Sequence, residues 1–372
     1  MRIGVPAETR EGETRVAATP ETVRKFAARH EVRVQAGAGR AAGYRDRDFE
    51  AAGARLVQTA AEACDADLVL RVRAPRGAEL AHLRQGSILI GLLEPYDAEG
   101  LAAIARTGVT GLAMEWLPRV SRAQPMDVLS SQANLAGYKA VILAAAEFGR
   151  IFPMFMTAAG TLKAARVLVL GAGVAGLQAI ATARRLGAVV EATDVRPAVK
   201  EQVESLGAKF VDVPYLTDEE REIAQGVGGY ARPMPESWMK RQAEAVHERA
   251  LASDVVIATA LIPGRRAPVL VRAHTVAAMR PGAVIVDLAA EQGGNVEGTE
   301  AGRTVLVDAV KLVGPVNLPA SVPTDASALI ARNYLNFASL LFDTAGELRL
   351  DRSDELIAGT LACENGELVR RP

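Results

Sequence analysis

The 372-residue sequence lacks the features that would link it to nucleic acid, a disulfide scaffold or a membrane span. Its two cysteines, Cys64 and Cys363, form no CxxC pair, which argues against a disulfide framework or a zinc site and fits a reducing compartment. The net charge is −1 and the basic residues form no stripe, so no nucleic-acid partner is expected. No apolar run reaches about eighteen residues, which predicts a soluble chain that could still dock on a membrane protein.

Aromatic residues are also scarce, at 4% of the chain, although hydrophobic residues make up 49%. The core is therefore expected to consist of Ala, Val and Leu packed between helices and parallel strands. The length allows two domains.

The most informative stretch is 167–176, where an apolar β-branched run leads into a Gly171-x-Gly173-x-x-Gly176 turn. A helical stretch and a second strand follow, and that strand ends on Asp194. This order and spacing are typical of the first βαβ unit of a dinucleotide-binding sheet. Gly171 permits the tight turn, Gly173 lets the backbone approach a pyrophosphate, and Gly176 lets the helix pack on the strand. The alternative is a glycine-rich loop that binds nothing.

Asp194 also bears on the choice between the two nicotinamide cofactors. Its carboxylate can accept hydrogen bonds from both ribose hydroxyls of NAD, whereas a 2′-phosphate would meet like charge. Arg196 lies two residues on and could pair with such a phosphate. The acid carries more weight, so the sequence predicts NAD rather than NADP.

The pattern of strands and helices predicts an α/β protein with two Rossmann-like domains, parallel sheets, long connecting helices and a cleft between the domains. We assign residues 1–133 and 330–372 to the N-terminal domain and 134–329 to the dinucleotide-binding domain. Long helices are expected at 134–152 and 326–341, and loops at 121–132 and 215–232. The expected strands are 2–6, 31–35, 68–72, 87–92 and 111–115, then 167–170, 189–193, 209–211, 255–259, 283–287, 305–307 and 311–313.

The polar segment 118–132 is the second informative stretch, because it carries both charge signs between two apolar stretches. The side chains in it that could hold an amide and a ribose are Arg119, Gln124, Asp127 and Ser130. The alternative is a connecting loop with a helix cap at Ser130 or Ser131. Further along, Asp287 and Asn295 lie beside glycine turns and are equally compatible with a site role and with turn packing.

No histidine stands at a strand end or in a glycine-rich turn, and His30, His82, His247 and His274 are each interpreted as satisfied surface residues. An alcohol or amino-acid dehydrogenase needs a group that moves the substrate proton when hydride moves. Transfer of hydride between two nicotinamide rings needs none. The missing imidazole therefore favours the second kind of chemistry.

The sequence resembles the alanine dehydrogenase and nicotinamide nucleotide transhydrogenase superfamily over nearly all of its length. Segments 2–9, 13–17, 35–39 and 281–287 match both branches. Alanine dehydrogenases carry a catalytic lysine in a Lys-x-Lys-Glu-Pro segment, where this chain has Arg73. They carry a catalytic histidine in a Leu-His-Leu segment, where this chain has Glu94.

Segment 119–132 is similar to the nicotinamide-positioning loop of domain I of proton-translocating transhydrogenases. The resemblance implies catalytic roles for Arg119, Gln124, Asp127 and Ser130. The cofactor-binding residues that it implies, together with the glycine motif, are Arg119, Val120, Ser121, Gln124, Gly171, Gly173, Val174, Gly176, Asp194, Val195, Arg196, Gly229, Gln242 and Leu261.

The resemblance further implies NAD (NAD+/NADH) as cofactor, no metal, and a Re/Si-specific, proton-translocating NAD(P)+ transhydrogenase whose separate alpha (alpha-1) subunit is this chain. Its membrane helices and second nucleotide domain are expected on other chains. The implied partners are membrane-embedded subunits, the NADP(H)-binding domain of the beta subunit and a second copy in a homodimer. The implied location is the cytoplasm, at the cytoplasmic face of the inner membrane. The alternatives are a stand-alone NAD-dependent amino-acid dehydrogenase and an NAD-sensing regulatory subunit.

Overall fold

A computed structural model describes residues 1–224, 234–343 and 345–369. The chain divides into two compact units, and each is built around its own sheet. The first unit comprises Met1–Gln132 and the chain from Pro319 onwards, and the second is Ala133–Leu318. The sequence places the return to the first half at residue 330, and the first unit resumes earlier, at Pro319.

The strands among the described residues are β1 (Arg2–Val5), β2 (Glu31–Gln35), β3 (Ala54–Val57), β4 (Leu68–Arg73), β5 (Ile88–Leu92), β6 (Thr110–Ala113), β7 (Phe155–Thr157), β8 (Gly160–Leu162), β9 (Arg166–Leu170), β10 (Val189–Thr193), β11 (Lys209–Phe210), β12 (Val255–Ala258), β13 (Val284–Asp287), β14 (Thr304–Val307), β15 (Val310–Val313), β16 (Leu361–Glu364) and β17 (Glu367–Leu368). The α-helices in the same residues are α1 (Pro20–Ala27), α2 (Asp46–Ala51), α3 (Ala60–Cys64), α4 (Ala98–Arg106), α5 (Val128–Glu147), α6 (Val174–Arg185), α7 (Lys200–Ser205), α8 (Asp218–Ala224), α9 (Glu236–Ala252), α10 (Ala273–Ala278), α11 (Pro323–Ala338) and α12 (Glu355–Thr360).

The sheet of the first unit has the order β17-β16-β6-β5-β4-β1-β2-β3. Strands β1 to β6 are mutually parallel, whereas β16 and β17 pair antiparallel at one edge. Strand β4 is buried along almost its whole length, as expected for a parallel strand covered on both faces. The C-terminal segment thus completes the sheet that the N-terminal segment begins.

The sheet of the second unit has the order β11-β10-β9-β12-β13-β15-β14, and only β14 is antiparallel among these strands of the described chain. Strand β9 is central, with the next strands of the chain, β10 and β11, on one side and β12 onwards on the other. The order of the strands therefore reverses at the carboxyl end of β9, the usual place for a ligand in such sheets. Both sheets confirm the predicted α/β class with Rossmann-like parallel architecture.

The core of the second unit consists largely of small and β-branched side chains, in keeping with the scarcity of aromatics. These residues allow close helix packing. A Cβ added at Gly137 of α5 would lie 2.1 Å from the carbonyl oxygen of Ala175 in the first turn of α6. Helix α5 therefore fixes the position at which α6 begins.

Two predicted boundaries around α5 are wrong. Residues 121–132 are not a loop, because Ser121–Met126 form a 3-10 helix and α5 begins at Val128 rather than at residue 134. The cause is a cap, since the Asp127 carboxylate accepts the backbone N–H of Ser130 at 2.9 Å. The polar residues after the cap belong to the first turns of the helix. The helix ends at Glu147 rather than at residue 152.

The predicted extended loop 215–232 is also wrong in part, because it contains α8, an acidic one- to two-turn helix. Residues 225–232 of that prediction lie outside the described residues. Helix α9, the edge strand β3 and the β7–β8 hairpin were not predicted. The second long helix, expected at 326–341, is α11, which starts at Pro323 with proline in its first turn.

The cysteines are free thiols buried in the core of the first unit. Burial raises the pKa of Cys64 and of Cys363 to about 11, so neither is a reactive thiolate near neutral pH. Among the described residues, no helix combines the length and the apolar character needed to cross a bilayer.

Replacing Gly137 by Ala tests the α5–α6 contact. The new methyl group would overlap the Ala175 carbonyl, so we expect the free energy of unfolding to fall by about 1–3 kcal/mol. Gly149→Ala is the matched control, because a Cβ at Gly149 meets no described atom within 4 Å. Urea denaturation followed by circular dichroism measures both, and equal midpoints for the two variants would contradict the packing argument.

Candidate functional site

Two glycines of the β9–α6 turn are required by the fold itself. Gly171 has φ +92°, and a Cβ there would lie 2.9 Å from the Thr259 hydroxyl. A Cβ at Gly176 would lie 1.8 Å from the carbonyl oxygen of Gly171, a distance that no side chain can occupy. Glycine at these two positions lets α6 start directly above the end of the central strand.

Gly173 differs from its neighbours, because the protein itself leaves room for a side chain there. It is the N-cap of α6 with φ −76° and ψ −168°, an extended conformation open to any residue. Among the described atoms, a Cβ at Gly173 would meet only the Arg196 guanidinium, at 3.9 Å. The space beside Gly173 is thus an opening that a side chain would fill, which fits close approach by a ligand.

The start of α6 presents backbone donors to this opening. The first helical hydrogen bond that follows the cap runs from the Leu177 N–H to the Gly173 carbonyl at 2.8 Å. The N–H groups of Val174, Ala175 and Gly176 precede it and lie in the part of a helix where N–H groups have no intrahelical acceptor. Such a helix start binds phosphate oxygens through these donors and through its dipole.

Asp194 follows β10 and joins the second strand to the glycine turn. Its Oδ2 accepts the Ala172 N–H at 2.8 Å, and its side chain is 6% exposed. Its Oδ1 accepts the Arg196 N–H at 2.8 Å and the Arg196 Nε–H at 2.9 Å. Arg196 Nη2 lies 2.8 Å from Oδ2, which completes a fork-shaped ion pair. The predicted ribose acid and the neighbouring arginine are therefore in direct contact.

The loop after β12 is held against the glycine turn. Thr259 donates its hydroxyl to the Gly171 carbonyl at 2.9 Å. The Asn295 amide accepts the Ala260 N–H at 3.0 Å and donates to the Ala260 carbonyl at 2.9 Å. Leu261, predicted to complete the pocket, comes next and is 43% exposed.

Asp287 at the end of β13 supports this arrangement from below. It is fully buried, and its carboxylate accepts the N–H groups of Ala289, Asn295 and Val296 at 2.8–3.1 Å. Burial raises the pKa of Asp287 above its usual value, while these hydrogen bonds favour the charged form. The hydrogen-bonding groups of Asp287 and Asn295 are thus committed to loop geometry.

A small apolar cluster lies beyond Asp194. The Tyr215 hydroxyl donates to the Val195 carbonyl at 2.7 Å, and the Tyr215 ring stacks on Trp238 with centroids 5.9 Å apart. Gln242, one helical turn after Trp238 on α9, is 8% exposed. Gly229, also predicted to line the pocket, lies outside the described residues.

The polar loop residues belong to the first unit, and the structure divides them into two groups. Asp127 and Ser130 contact each other, because the Ser130 N–H and hydroxyl both donate to the Asp127 carboxylate, at 2.9 and 2.5 Å. They form the cap of α5, which is the helix-cap alternative with its position moved to Asp127. The other predicted residues are exposed on the approach to that cap, namely Arg119, Val120, Ser121 and Gln124. Among the described residues, no hydrogen bond or ion pair engages the Gln124 side chain.

Arg73 and Glu94, which stand where alanine dehydrogenases carry lysine and histidine, take part in an ion cluster at the ends of β4 and β5. Arg73 Nη1 lies 3.8 Å from Glu94 Oε1, and Glu94 also pairs with Arg10 and Arg76. Burial acts to raise the pKa of Glu94, but hydrogen bonding and the neighbouring arginines hold it below its usual value. Glu94 is therefore an ionised partner of arginines and a poor proton donor near neutral pH.

The histidines have packing or surface roles. His247 Nδ1 lies 2.8 Å from the Thr275 hydroxyl and its ring packs on His274 at 5.3 Å, whereas His30 packs on Phe342 at 4.6 Å. Burial lowers the pKa of His30, and His82 is exposed on the surface of the first unit.

The residues at the carboxyl end of β9 fit a dinucleotide. They combine an opening at Gly173, a helix start with available N–H groups and a carboxylate at the end of the adjacent strand. No side chain in this set can exchange a proton with a substrate near neutral pH without first leaving the Asp194–Arg196 pair. The arrangement can bind and orient a cofactor, and its described residues contain no preformed acid–base pair.

Comparison with known proteins gives matches over nearly the whole chain. The family models "Alanine dehydrogenase/PNT, N-terminal domain" and "Alanine dehydrogenase/PNT, C-terminal domain" match residues 4–136 and 140–371. A curated relative from Rhodospirillum rubrum, named as an NAD(P) transhydrogenase subunit alpha, is 49% identical over 99% of this chain and 98% of its own length. An alanine dehydrogenase from Mycobacterium tuberculosis is 33% identical over 99% of this chain and 95% of its own length.

A solved structure of transhydrogenase from Sinorhizobium meliloti is similar to this one, with a TM-score of 0.89 and 47% sequence identity. The match covers 99% of this chain and all of the solved chain. With both family domains matched and a relative at 49% identity, the chain belongs to the alanine dehydrogenase/PNT family.

Proposed function

We propose that this chain is the NAD(H)-binding alpha subunit of a Re/Si-specific, proton-translocating transhydrogenase, which passes hydride from NADH to NADP+ held by a partner subunit. The observation that carries this proposal is its 49% identity, along almost its full length, to a protein named as a transhydrogenase alpha subunit. The β9–α6 turn supports it by supplying a site with the geometry of a dinucleotide cradle.

Each residue of that cradle has a defined task. The opening at Gly173 and the N–H groups at the start of α6 receive the pyrophosphate, with Val174 against it. Asp194 accepts hydrogen bonds from the adenosine ribose, and Val195 and Arg196 border the same sugar. Gln242, Leu261 and Gly229 complete the pocket.

We assign the nicotinamide end to Arg119, Val120, Ser121 and Gln124, with Asp127 and Ser130 orienting the ring and its carboxamide. The chemistry that the cofactor supplies when bound is the donation of hydride from its dihydronicotinamide ring. The protein contributes placement, because two rings held at near-attack distance react without a proton relay. The exposed, unengaged amide of Gln124 supports this assignment.

The partners in this proposal are membrane-embedded subunits, the NADP(H)-binding domain of a beta subunit and a second copy of this chain. The complex would hold this chain at the cytoplasmic face of the inner membrane. The β7–β8 hairpin supports association, because its apolar side chains project into solvent, with Phe155 50%, Met156 77% and Leu162 53% exposed. Exposed apolar groups in this density are typical of surfaces that bind protein.

The rival function, stand-alone alanine dehydrogenation, needs a group that moves the substrate proton. Arg73 and Glu94 provide none, because a guanidinium stays protonated and Glu94 is held ionised. The purified chain alone, given pyruvate, ammonia and NADH, is therefore expected not to oxidise NADH. With the membrane subunits added, NADH should reduce an NADP+ analogue, followed by absorbance. Turnover with pyruvate by the chain alone would overturn the proposed function.

Glycine substitutions separate ligand binding from folding. Gly173→Ala fills the opening without touching described backbone atoms, so NADH affinity should fall about tenfold or more while the thermal midpoint stays unchanged. Gly176→Ala forces α6 away from Gly171, so its thermal midpoint should fall by several degrees. Calorimetry and fluorescence titration measure both. Unchanged NADH binding by Gly173→Ala would contradict the pyrophosphate assignment.

Gln124→Leu tests the nicotinamide assignment in the reconstituted complex. Hydride transfer from NADH to the partner-bound acceptor should fall about tenfold or more, because a misplaced ring loses its alignment, whereas NADH affinity should change only a few-fold. Gln124 is a cleaner probe than Asp127, since Asp127 also caps α5. Gln58→Leu removes another exposed amide from the first unit and should have no effect. Equal turnover of the two variants would contradict the assignment.

A further inference from the structure

Asp194 has no acceptor capacity left for a ribose. Its carboxylate accepts the Ala172 N–H, the Arg196 N–H and two guanidinium N–H groups of Arg196, all at 2.8–2.9 Å. A carboxylate offers about four lone-pair sites, so these four hydrogen bonds saturate it. Ribose hydroxyls can reach Asp194 only when the Arg196 side chain withdraws.

The guanidinium that must withdraw has little distance to travel, because its own backbone N–H still ties Arg196 to Asp194 Oδ1. Its Nη2 also lies 3.9 Å from the position of a Cβ on Gly173, at the edge of the opening. Arg196 thus stands between the acid and the phosphate-binding turn, with a side chain that is 20% exposed and able to move.

Arginine is well suited to bind a phosphate on the ribose. Its planar fork matches phosphate oxygens as it matches a carboxylate, and an arginine near the end of the second strand accommodates the 2′-phosphate in NADP-binding folds. In this chain the fork is already filled by Asp194. The Asp194–Arg196 pair is electrically neutral, so an incoming phosphate gains little attraction.

We propose that Arg196 is a latent receptor for a ribose 2′-phosphate, and that Asp194 makes this chain selective for NADH by holding the Arg196 guanidinium as well as by repelling the phosphate. The inference rests on the proposed binding of a dinucleotide at the β9–α6 turn. It assigns the choice of cofactor to the ion pair rather than to the acid alone. The arginine is then the residue that decides whether loss of the acid creates a new specificity.

The test measures dissociation constants for NADH and NADPH by calorimetry on wild type, Asp194→Asn, Arg196→Gln and the double variant. The asparagine keeps an oxygen for the Ala172 N–H but cannot hold the guanidinium by charge. NADPH should bind Asp194→Asn about tenfold more tightly than wild type, as expected for a charge-assisted pair set free. NADH should bind this variant more weakly than wild type.

The double variant decides the matter. If Arg196 is the receptor, adding Arg196→Gln to Asp194→Asn removes the gain in NADPH affinity, whereas adding Arg185→Gln, which deletes an exposed arginine at the end of α6, keeps most of it. Arg196→Gln alone should bind NADH at least as tightly as wild type, because a competitor for the carboxylate is gone. Asp194→Ser serves as a second release variant, and circular dichroism verifies that each variant is folded.

Equal NADPH affinity of Asp194→Asn with and without Arg196→Gln would overturn the inference and leave the proposed function standing. A wild-type chain that binds neither NADH nor NADPH would overturn the proposed function and, with it, the inference. Weaker NADH binding by Arg196→Gln alone would show that the guanidinium serves the ribose directly, and this also contradicts the latent role.

Discussion

The close approach of α6 to the end of β9 is the constraint on which the candidate site depends. The helix can start there only because Gly176 places no Cβ between itself and the Gly171 carbonyl, 1.8 Å away from where that atom would lie. Gly137 then lets α5 press on the same turn. With α6 fixed from both sides, its unpaired N–H groups point at one defined place, which is a precondition for binding phosphate rather than water.

Charge in the two units is arranged so that most ionised groups near strand ends are already paired. In the first unit, arginines surround Glu94, and in the second, Arg196 holds Asp194. Paired groups of this kind fix geometry, whereas acid–base catalysis needs a group whose proton is exchanged near neutral pH. A protein that positions a cofactor for direct hydride transfer is well served by such pairs. A dehydrogenase acting on an amino acid is not.

The comparison of predicted and observed elements shows where local pattern stops being sufficient. The buried parallel strands were predicted at nearly their observed bounds, because continuous apolar runs ending in glycine turns leave little freedom. Helix α5 was placed too late, since Asp127, Ser130 and Ser131 are also typical of loops and only their mutual hydrogen bonding shows a cap. Strand β3 is marked by no such run, and it forms because β2 offers an unpaired edge.

The sequence by itself determined the class of fold, the position of the glycine turn and the acid that ends the second strand, since each follows from short-range spacing along the chain. It also pointed to chemistry without an imidazole acid or base. The tertiary structure decided which of those groups are available. Arg196 fills the carboxylate of Asp194, Asn295 is committed to the loop after β12, and Gly173 alone of the three motif glycines leaves an opening. These outcomes depend on contacts between residues far apart in sequence or on side-chain direction, and no local pattern encodes either.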